Sequence, residues 1–265
     1  MIFTTDALIL KSADSGDYDR LLTLLTPEQG RITAIAKGVR SPRSQLASLT
    51  QPYVYTNLEI YRKGDMNWLR SGSAIEYFAG VRNDIAKLSL AAYICDIASE
   101  VTGEGVPAVD ILRLTLNTLY AIDKDIAPAS QIKSVYEWRV AGYAGYLPDI
   151  TCCAICRDKS PELSYLDVMN GRLICSACIK KIPPRPQGGI TEDLEEERSI
   201  LIPMDAGALA ASRYALGALP ERIFSFRLAD AEAGRDFSRA AESFLLNHLE
   251  RGFDSLDFYK VIANV

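Results

Sequence analysis

Two Cys-x-x-Cys pairs, Cys153-Ala-Ile-Cys156 and Cys175-Ser-Ala-Cys178, stand on either side of residues 157–174, and this spacing constrains the chain more than any other feature. A two-residue gap lets one tight knuckle turn two thiolates toward one ion, so two knuckles complete the tetrahedral shell of a Zn²⁺ ion. Four thiolates leave no coordination position open for water or substrate. The single histidine, His248, lies far away in sequence. The expectation is therefore one structural zinc ion held by Cys153, Cys156, Cys175 and Cys178, not a hydrolytic centre. A disulfide pair would need an oxidising compartment, and a thioredoxin-like motif would have one such pair at the end of a strand. Cys152 would replace Cys153 as a ligand if the first knuckle were wider, but the two-residue gap of Cys153 mirrors the second pair. Cys95, inside Ala91-Ala92-Tyr93-Ile94-Cys95, reads as a buried inert thiol.

The 265 residues are 48% hydrophobic and 24% charged, enough to bury a real core and to divide into two or three domains. The first residues, Met1-Ile-Phe-Thr-Thr-Asp, lack the basic then apolar run of a secretory signal. Apolar stretches are broken by charges before the roughly 20 residues a bilayer requires. The expected location is the cytoplasm, with no membrane partner.

A formal net charge of −5 argues against a nucleic-acid partner only if charge is evenly spread, and it is not. Residues 31–70 carry Arg31, Lys37, Arg40, Arg43, Arg62, Lys63 and Arg70 against only Glu59 and Asp65. The remainder is correspondingly acidic and should keep nucleic acid to one face. The same region alternates as strands do: Thr5–Lys11, Tyr18–Thr26, Arg31–Ala36, Tyr53–Tyr61 and Trp68–Arg70. Pro27-Glu-Gln-Gly30 is a turn signal between two of them. Five short antiparallel strands in about 80 residues predict a small barrel. The loop Lys37-Gly-Val-Arg40-Ser-Pro-Arg43-Ser44 offers three cations to phosphates, and Tyr53, Tyr55, Tyr61 and Trp68 offer stacking faces wherever they alternate outward. The competing reading is a solvated loop over core aromatics.

After Gly80 the period becomes helical. Helices are predicted from Asp84 to Val101, from Pro107 to Ile122 and from Ser130 to Tyr143, and again beyond Asp205 and Asp236. The Pro-rich stretch 183–189 reads as a linker, and Glu192 to Glu197 as a loop or helix start. The expected organisation is α+β: a barrel over 1–80, a first helical part over 81–149, a zinc module over 150–182 and a second helical part over 183–265.

In this order the motifs resemble the bacterial RecO recombination mediators over nearly the whole chain. The resemblance is carried by Thr5-Asp-Ala-Leu-Ile-Leu10, by Asp19-Arg-Leu-Leu-Thr-Leu-Leu-Thr26 with Gly30, and by Ala36-Lys-Gly-Val-Arg40 with Ser44 and Gln51-Pro52. It continues through Gly142-Tyr-Ala-Gly-Tyr-Leu-Pro148 into the cysteines with Gly171, and ends on Ser255-Leu-Asp-Phe258. It implies an N-terminal OB-fold and a helical domain with the zinc module. It also implies binding of single- and double-stranded DNA, strand annealing, engagement of RecR and of the tail of single-stranded DNA-binding protein, and help in loading RecA at the nucleoid.

Lys37 and Arg40 match the family's basic loop motif, and Arg43 follows in the same loop. Arg62, Lys63 and Arg70 join them as DNA contacts through local charge alone. Arg20 matches a motif position too, but Asp17 and Asp19 beside it suggest a bracing salt bridge. A groove for the acidic tail is implied on the helical domain, where Lys133, Tyr136 and Arg139 fall on one side of their helix. Trp138 and Tyr143 are expected in the core.

No Walker A sequence, Gly-x-Ser-x-Gly elbow or histidine cluster points to an enzyme. The contrasting class is a zinc-ribbon transcription or assembly factor whose barrel never touches DNA.

Overall fold

The computed structural model describes residues 1–181 and 200–264, so the expected linker and acidic run at 183–197 lie outside the described residues. The chain forms two compact units, Met1–Ile132 with Phe253–Val265, and Lys133–Gly252.

In the first unit, β1 (Ile2–Ser15), β2 (Asp19–Thr26), β3 (Gly30–Ala36), β4 (Tyr55–Lys63) and β5 (Met66–Glu76) close into a barrel of order β1-β2-β3-β5-β4. The alternation that predicts strands here is a real in–out pattern. Ile32, Ala34 and Ala36 of β3 and Leu58 and Ile60 of β4 point inward onto Ile9, Leu22 and Leu24. Closure is not wholly antiparallel. β3 meets β5 in parallel at Ile35 and Trp68, a pairing that no neighbouring-hairpin argument reveals.

The short α1 (Ala79–Arg82), α2 (Ile85–Val101) and α3 (Val109–Asp123) follow. Asp84 caps α2 by accepting from the amides of Ala86 and Lys87. The expected boundary near residue 80 marks a change of period, not a break in packing. Gly30 (φ 62°) fits against the α2–α3 connection so closely that a Cβ would collide with the carbonyl oxygens of Gly103 and Val106. Arg31 then reaches Ser99 O at 2.6 Å. Strand and helix thus share one interior.

Chain continues through α4 (Ala129–Tyr143) into the second unit. There β6 (Asp149–Cys153), β7 (Leu163–Asp167), β8 (Arg172–Cys175) and β9 (Leu201–Asp205) form a sheet of order β6-β8-β7-β9, with the single turn α5 (Ser176–Ile179) after β8. α6 (Ala206–Gly217) and α7 (Ala231–His248) complete the unit, each opened by an aspartate cap, Asp205 and Asp230. β9 was not expected; it pairs with β7 as the edge strand of the sheet and runs directly into α6. The last helix, α8 (Asp254–Ala263), belongs to the first unit and packs on α2. Tyr93 meets Phe253 edge-on there at 5.7 Å, and Ser255 donates to Asp96 at 2.6 Å. No helix among the described residues is long and apolar enough to cross a membrane.

Candidate metal centre and nucleic-acid interface

Cys153 ends β6 and Cys156 follows on its knuckle, while Cys175 ends β8 and Cys178 sits in α5. The first knuckle is shaped by backbone bonds from Arg157 N to Cys153 O and from Cys153 N to Asp158 O, with Arg157 at φ 65°. All four sulfurs lie within 4.8 Å of one another, and Cys156 and Cys175 are 3.6 Å apart. A tetrahedral ion with bonds of about 2.3 Å holds its sulfurs roughly 3.8 Å apart, so the cluster fits a metal. Cys152 is buried outside the cluster, its sulfur next to the Thr151 hydroxyl.

The ionisation of the donors fits the same reading. Burial opposes the Cys153 thiolate, yet amides of Cys156, Cys175 and Ile155 aimed at its sulfur bring it down to about 6. Cys178 is pushed up to about 12 by burial, with the neighbouring sulfurs adding to the effect. The Cys153 sulfur is prepared to be anionic, whereas Cys156 and Cys178, both raised, need a cation beside them to follow.

Sequence reasoning missed the residue that anchors this module. Arg213, on α6, donates from Nε to Ile150 O at 2.8 Å, from Nη1 to Lys159 O at 2.8 Å and from Nη2 to Thr151 O at 2.9 Å. One guanidinium therefore satisfies three carbonyls on both sides of the first knuckle. Nothing in the local pattern of α6 distinguishes Arg213 from a solvated helix arginine.

On the barrel, strand register assembles a surface that no single segment displays. Leu21 pairs with Ile35, Ile35 with Trp68, and Trp68 with Tyr61, giving one outward row across β2, β3, β5 and β4. Leu21 and Tyr61 are exposed, Ile35 and Trp68 half-buried, and the Tyr61 and Trp68 rings lie 5.8 Å apart. Lys37 lies just past the end of β3, two residues beyond Ile35, and Lys63 ends β4, two beyond Tyr61; because β3 and β4 run in opposite directions, the two lysines flank the row on opposite sides. Tyr55 instead hydrogen-bonds Asp6, and burial pushes the Tyr53 hydroxyl up.

The expected DNA contacts separate into two groups. Lys37, Arg43 and Lys63 are exposed, and none is paired among the described residues. Arg40 is ion-paired with Asp14 at 3.1 Å and donates to the carbonyls of Gly16 and Asp17, fastening the basic loop to the β1–β2 turn. Arg62 is held by Asn67 and Gln29 and lies over the Phe3 ring, and Arg70 is paired with Glu59 at 3.1 Å. Arg20 does brace the barrel, but through Asp14 and Thr50 instead of its sequence neighbours.

The helix-face expectation for Lys133, Tyr136 and Arg139 meets an interior instead of a groove. Lys133 and Tyr136 are buried, and Lys133 Nζ sits 2.9 Å from Glu137 and 2.7 Å from Glu242. Despite burial, those carboxylates keep the ammonium charged. Arg139 donates to the carbonyls of Leu216 and Ala218. Periodicity identifies three residues that share a face; it does not say that the face meets solvent. Trp138 lies in the core as expected, with its ring centroid 5.5 Å from that of Phe244, while Tyr143 is exposed.

A closed five-stranded OB barrel joined to helices that carry a four-cysteine ribbon defines a class: OB-fold proteins with an appended metal module. Residues 1–78 match the family model "Recombination protein O N terminal", and residues 82–257 match "Recombination protein O C terminal". The chain belongs to the RecO family. It is 28% identical over 261 residues to the DNA repair protein RecO of Acetivibrio thermocellus, covering 98% of this chain and 97% of that one. It is 32% identical over 181 residues to the DNA repair protein RecO of Shouchella clausii, covering 68% and 70% of the two chains. With the protein of the same name from Bacillus subtilis it shares 26% over 191 residues, covering 71% and 74%.

Proposed function

We propose that this protein is a non-enzymatic recombination mediator in DNA repair. In this reading it binds single- and double-stranded DNA, anneals complementary strands, and helps RecA load onto DNA coated with single-stranded DNA-binding protein, working with RecR in the cytoplasm. The observation that carries the reading is the row Leu21–Ile35–Trp68–Tyr61 bordered by Lys37 and Lys63. Stacking on apolar and aromatic side chains is indifferent to base identity, and lysines beside them neutralise phosphates without reading sequence. Annealing needs that indifference, because any complementary pair must be accepted. Arg43 adds a third exposed cation, whereas Arg40, Arg62 and Arg70 act mainly by holding loop and strands in place. The metal is Zn²⁺, and its role is to fold the module around β6–β8, since four thiolates fill the shell.

The test is nucleotide-free annealing of complementary strands coated with single-stranded DNA-binding protein, comparing wild type with Lys37→Glu/Lys63→Glu. Stimulation by wild type that the variant loses supports the assignment. Absence of stimulation by folded, zinc-loaded wild type would instead favour a zinc-ribbon assembly factor.

A further inference from the structure

Tyr18, in the turn between β1 and β2, carries the most exposed aromatic ring among the described residues, at 60%. Its side chain makes no hydrogen bond or ring contact there. A solvated turn needs no fastening, yet this one is held throughout. Arg40 alone takes the carbonyls of three consecutive turn residues: its amide donates to Tyr18 O at 2.9 Å, and its Nη1 to Gly16 O at 3.1 Å and Asp17 O at 3.2 Å. Its Nη2 pairs with Asp14 at 3.1 Å. From the other side, the Asp19 carboxylate accepts from the Gly38 amide at 2.8 Å. Val39, between Gly38 and Arg40, is buried in the barrel core, so turn and basic loop are anchored as one body.

Register places that body on one flank of the row. β2 pairs antiparallel with β3, Arg20 opposite Ala36, so the turn lies at the end of β3 where Lys37 emerges. Lys37 and Arg43 are both exposed, and the bonds from Ser41 N to Gly38 O and from Ser44 N to Ser41 O fold the loop that carries them. Tyr18 precedes Leu21 by three residues, roughly 10 Å along β2 from the row. That falls within the roughly 4–16 nucleotides one OB barrel covers. Three acids share this flank. Asp14 is neutralised by Arg20 and Arg40, and Asp19 is occupied by the Gly38 amide, which leaves the exposed Asp17 carboxylate.

We propose that Tyr18 is a further single-strand contact: a strand leaving the row past Lys37 passes onto the β1–β2 turn, where a base stacks on the Tyr18 ring while Lys37 and Arg43 hold its phosphates. This rests on the row being a DNA site and gives the strand its way off the barrel. Arg40 is then a positioning residue, which fixes the turn that presents the ring. A ring already fixed in place loses little freedom when a base settles on it, and stacking accepts any base. The side chain of Tyr18 serves no packing purpose in the barrel, so the bonds that hold its backbone find their use in presenting it.

The test is fluorescence anisotropy of the full chain with a labelled oligo-dT of about twelve nucleotides, repeated across a salt series. Tyr18→Ala should weaken binding about tenfold while the salt slope and the thermal midpoint stay at wild-type values, because a stacked ring carries no charge and an exposed one adds little stability. Tyr18→Phe should bind within about twofold of wild type, since the ring is kept. Asp17→Asn should tighten binding at low salt and lose that advantage at high salt. Adding Arg40→Met to Tyr18→Ala should cost no more than the worse of the two alone, because both act through one ring. Oligo-dT carrying 5-iodouracil should crosslink to Tyr18 under ultraviolet light, located by mass spectrometry. Binding by Tyr18→Ala within about twofold of wild type, a flattened slope or lowered midpoint in that variant, or crosslinks that avoid the β1–β2 turn each overturn the contact. Additive losses overturn the positioning role of Arg40. Loss in Tyr18→Ala beside undiminished binding by Lys37→Glu/Lys63→Glu removes the row and keeps Tyr18, and the converse keeps the row and removes Tyr18. Wild type that binds no oligo-dT removes both.

Discussion

Asp123, the last residue of α3, accepts from the amides of Gly80 at 2.5 Å and Val81 at 3.3 Å, and pairs with Lys124 at 2.8 Å. It therefore caps α1 from a distance of more than forty residues. Burial opposes its charge, but the Lys124 ammonium and the two amides prevail and hold the carboxyl below the usual carboxylate range. A carboxyl depressed in the folded state stabilises above its unfolded value, about 3.9, and that contribution is lost as pH falls through the folded value. Asp123→Asn should thus cost about 1 kcal/mol near neutral pH, and the gap from wild type should close as pH falls through the folded-state value of the carboxyl. Thermal melts of both proteins across acid pH check this; a gap that persists or widens in acid would contradict the assignment. Asp84 capping α2 is readable from its position before an apolar period, but Asp123 is not, because the amides it serves lie on another helix.

At the scale of elements, the ribbon gathers four cysteine sulfurs inside and is fastened from outside by Arg213. Cys175→Ser should lower zinc content and make residues 150–181 sensitive to protease while the barrel keeps its melting transition. Arg213→Ala should leave the four ligands intact yet speed zinc loss to a chelator severalfold, since three carbonyls lose their donor. Following zinc release with a colorimetric indicator separates the two, and an unchanged rate for Arg213→Ala would make that arginine incidental. α4 and α7 are joined by Lys133 between Glu137 and Glu242. Removing the cation takes an ion-pair partner from the fully buried Glu137, so Lys133→Met should cost about 3 kcal/mol in urea unfolding. The helical phase of Lys133, Tyr136 and Arg139 was legible in the sequence, and the burial of the face was not, because Glu242 arrives from 109 positions away.

For the whole molecule, a chain of net charge −5 binds DNA only where its cations are grouped and unpaired. If Lys37 and Lys63 each neutralise one phosphate, the slope of log affinity against log salt for single strands should flatten by about 1.4 in Lys37→Glu/Lys63→Glu. Reversing Arg40 should instead release the loop from Asp14 and lower stability together with affinity. A salt series with each variant, read beside its melting curve, tells these apart. The amino-acid sequence alone determined the cysteine knuckles, the strand and helix periods, the caps adjacent to their helices and the family, because each is written in residues a few positions apart whose geometry is local. Only the tertiary structure decided that Leu21, Ile35, Trp68 and Tyr61 form one row, that Arg40 is tied down while Lys37 and Lys63 are not, and that Lys133 faces inward. Those outcomes depend on strand register and on partners distant in the chain, and register and distant pairing are settled by the packing of the whole unit, where a one-residue slip would turn every side chain of a strand to the other face.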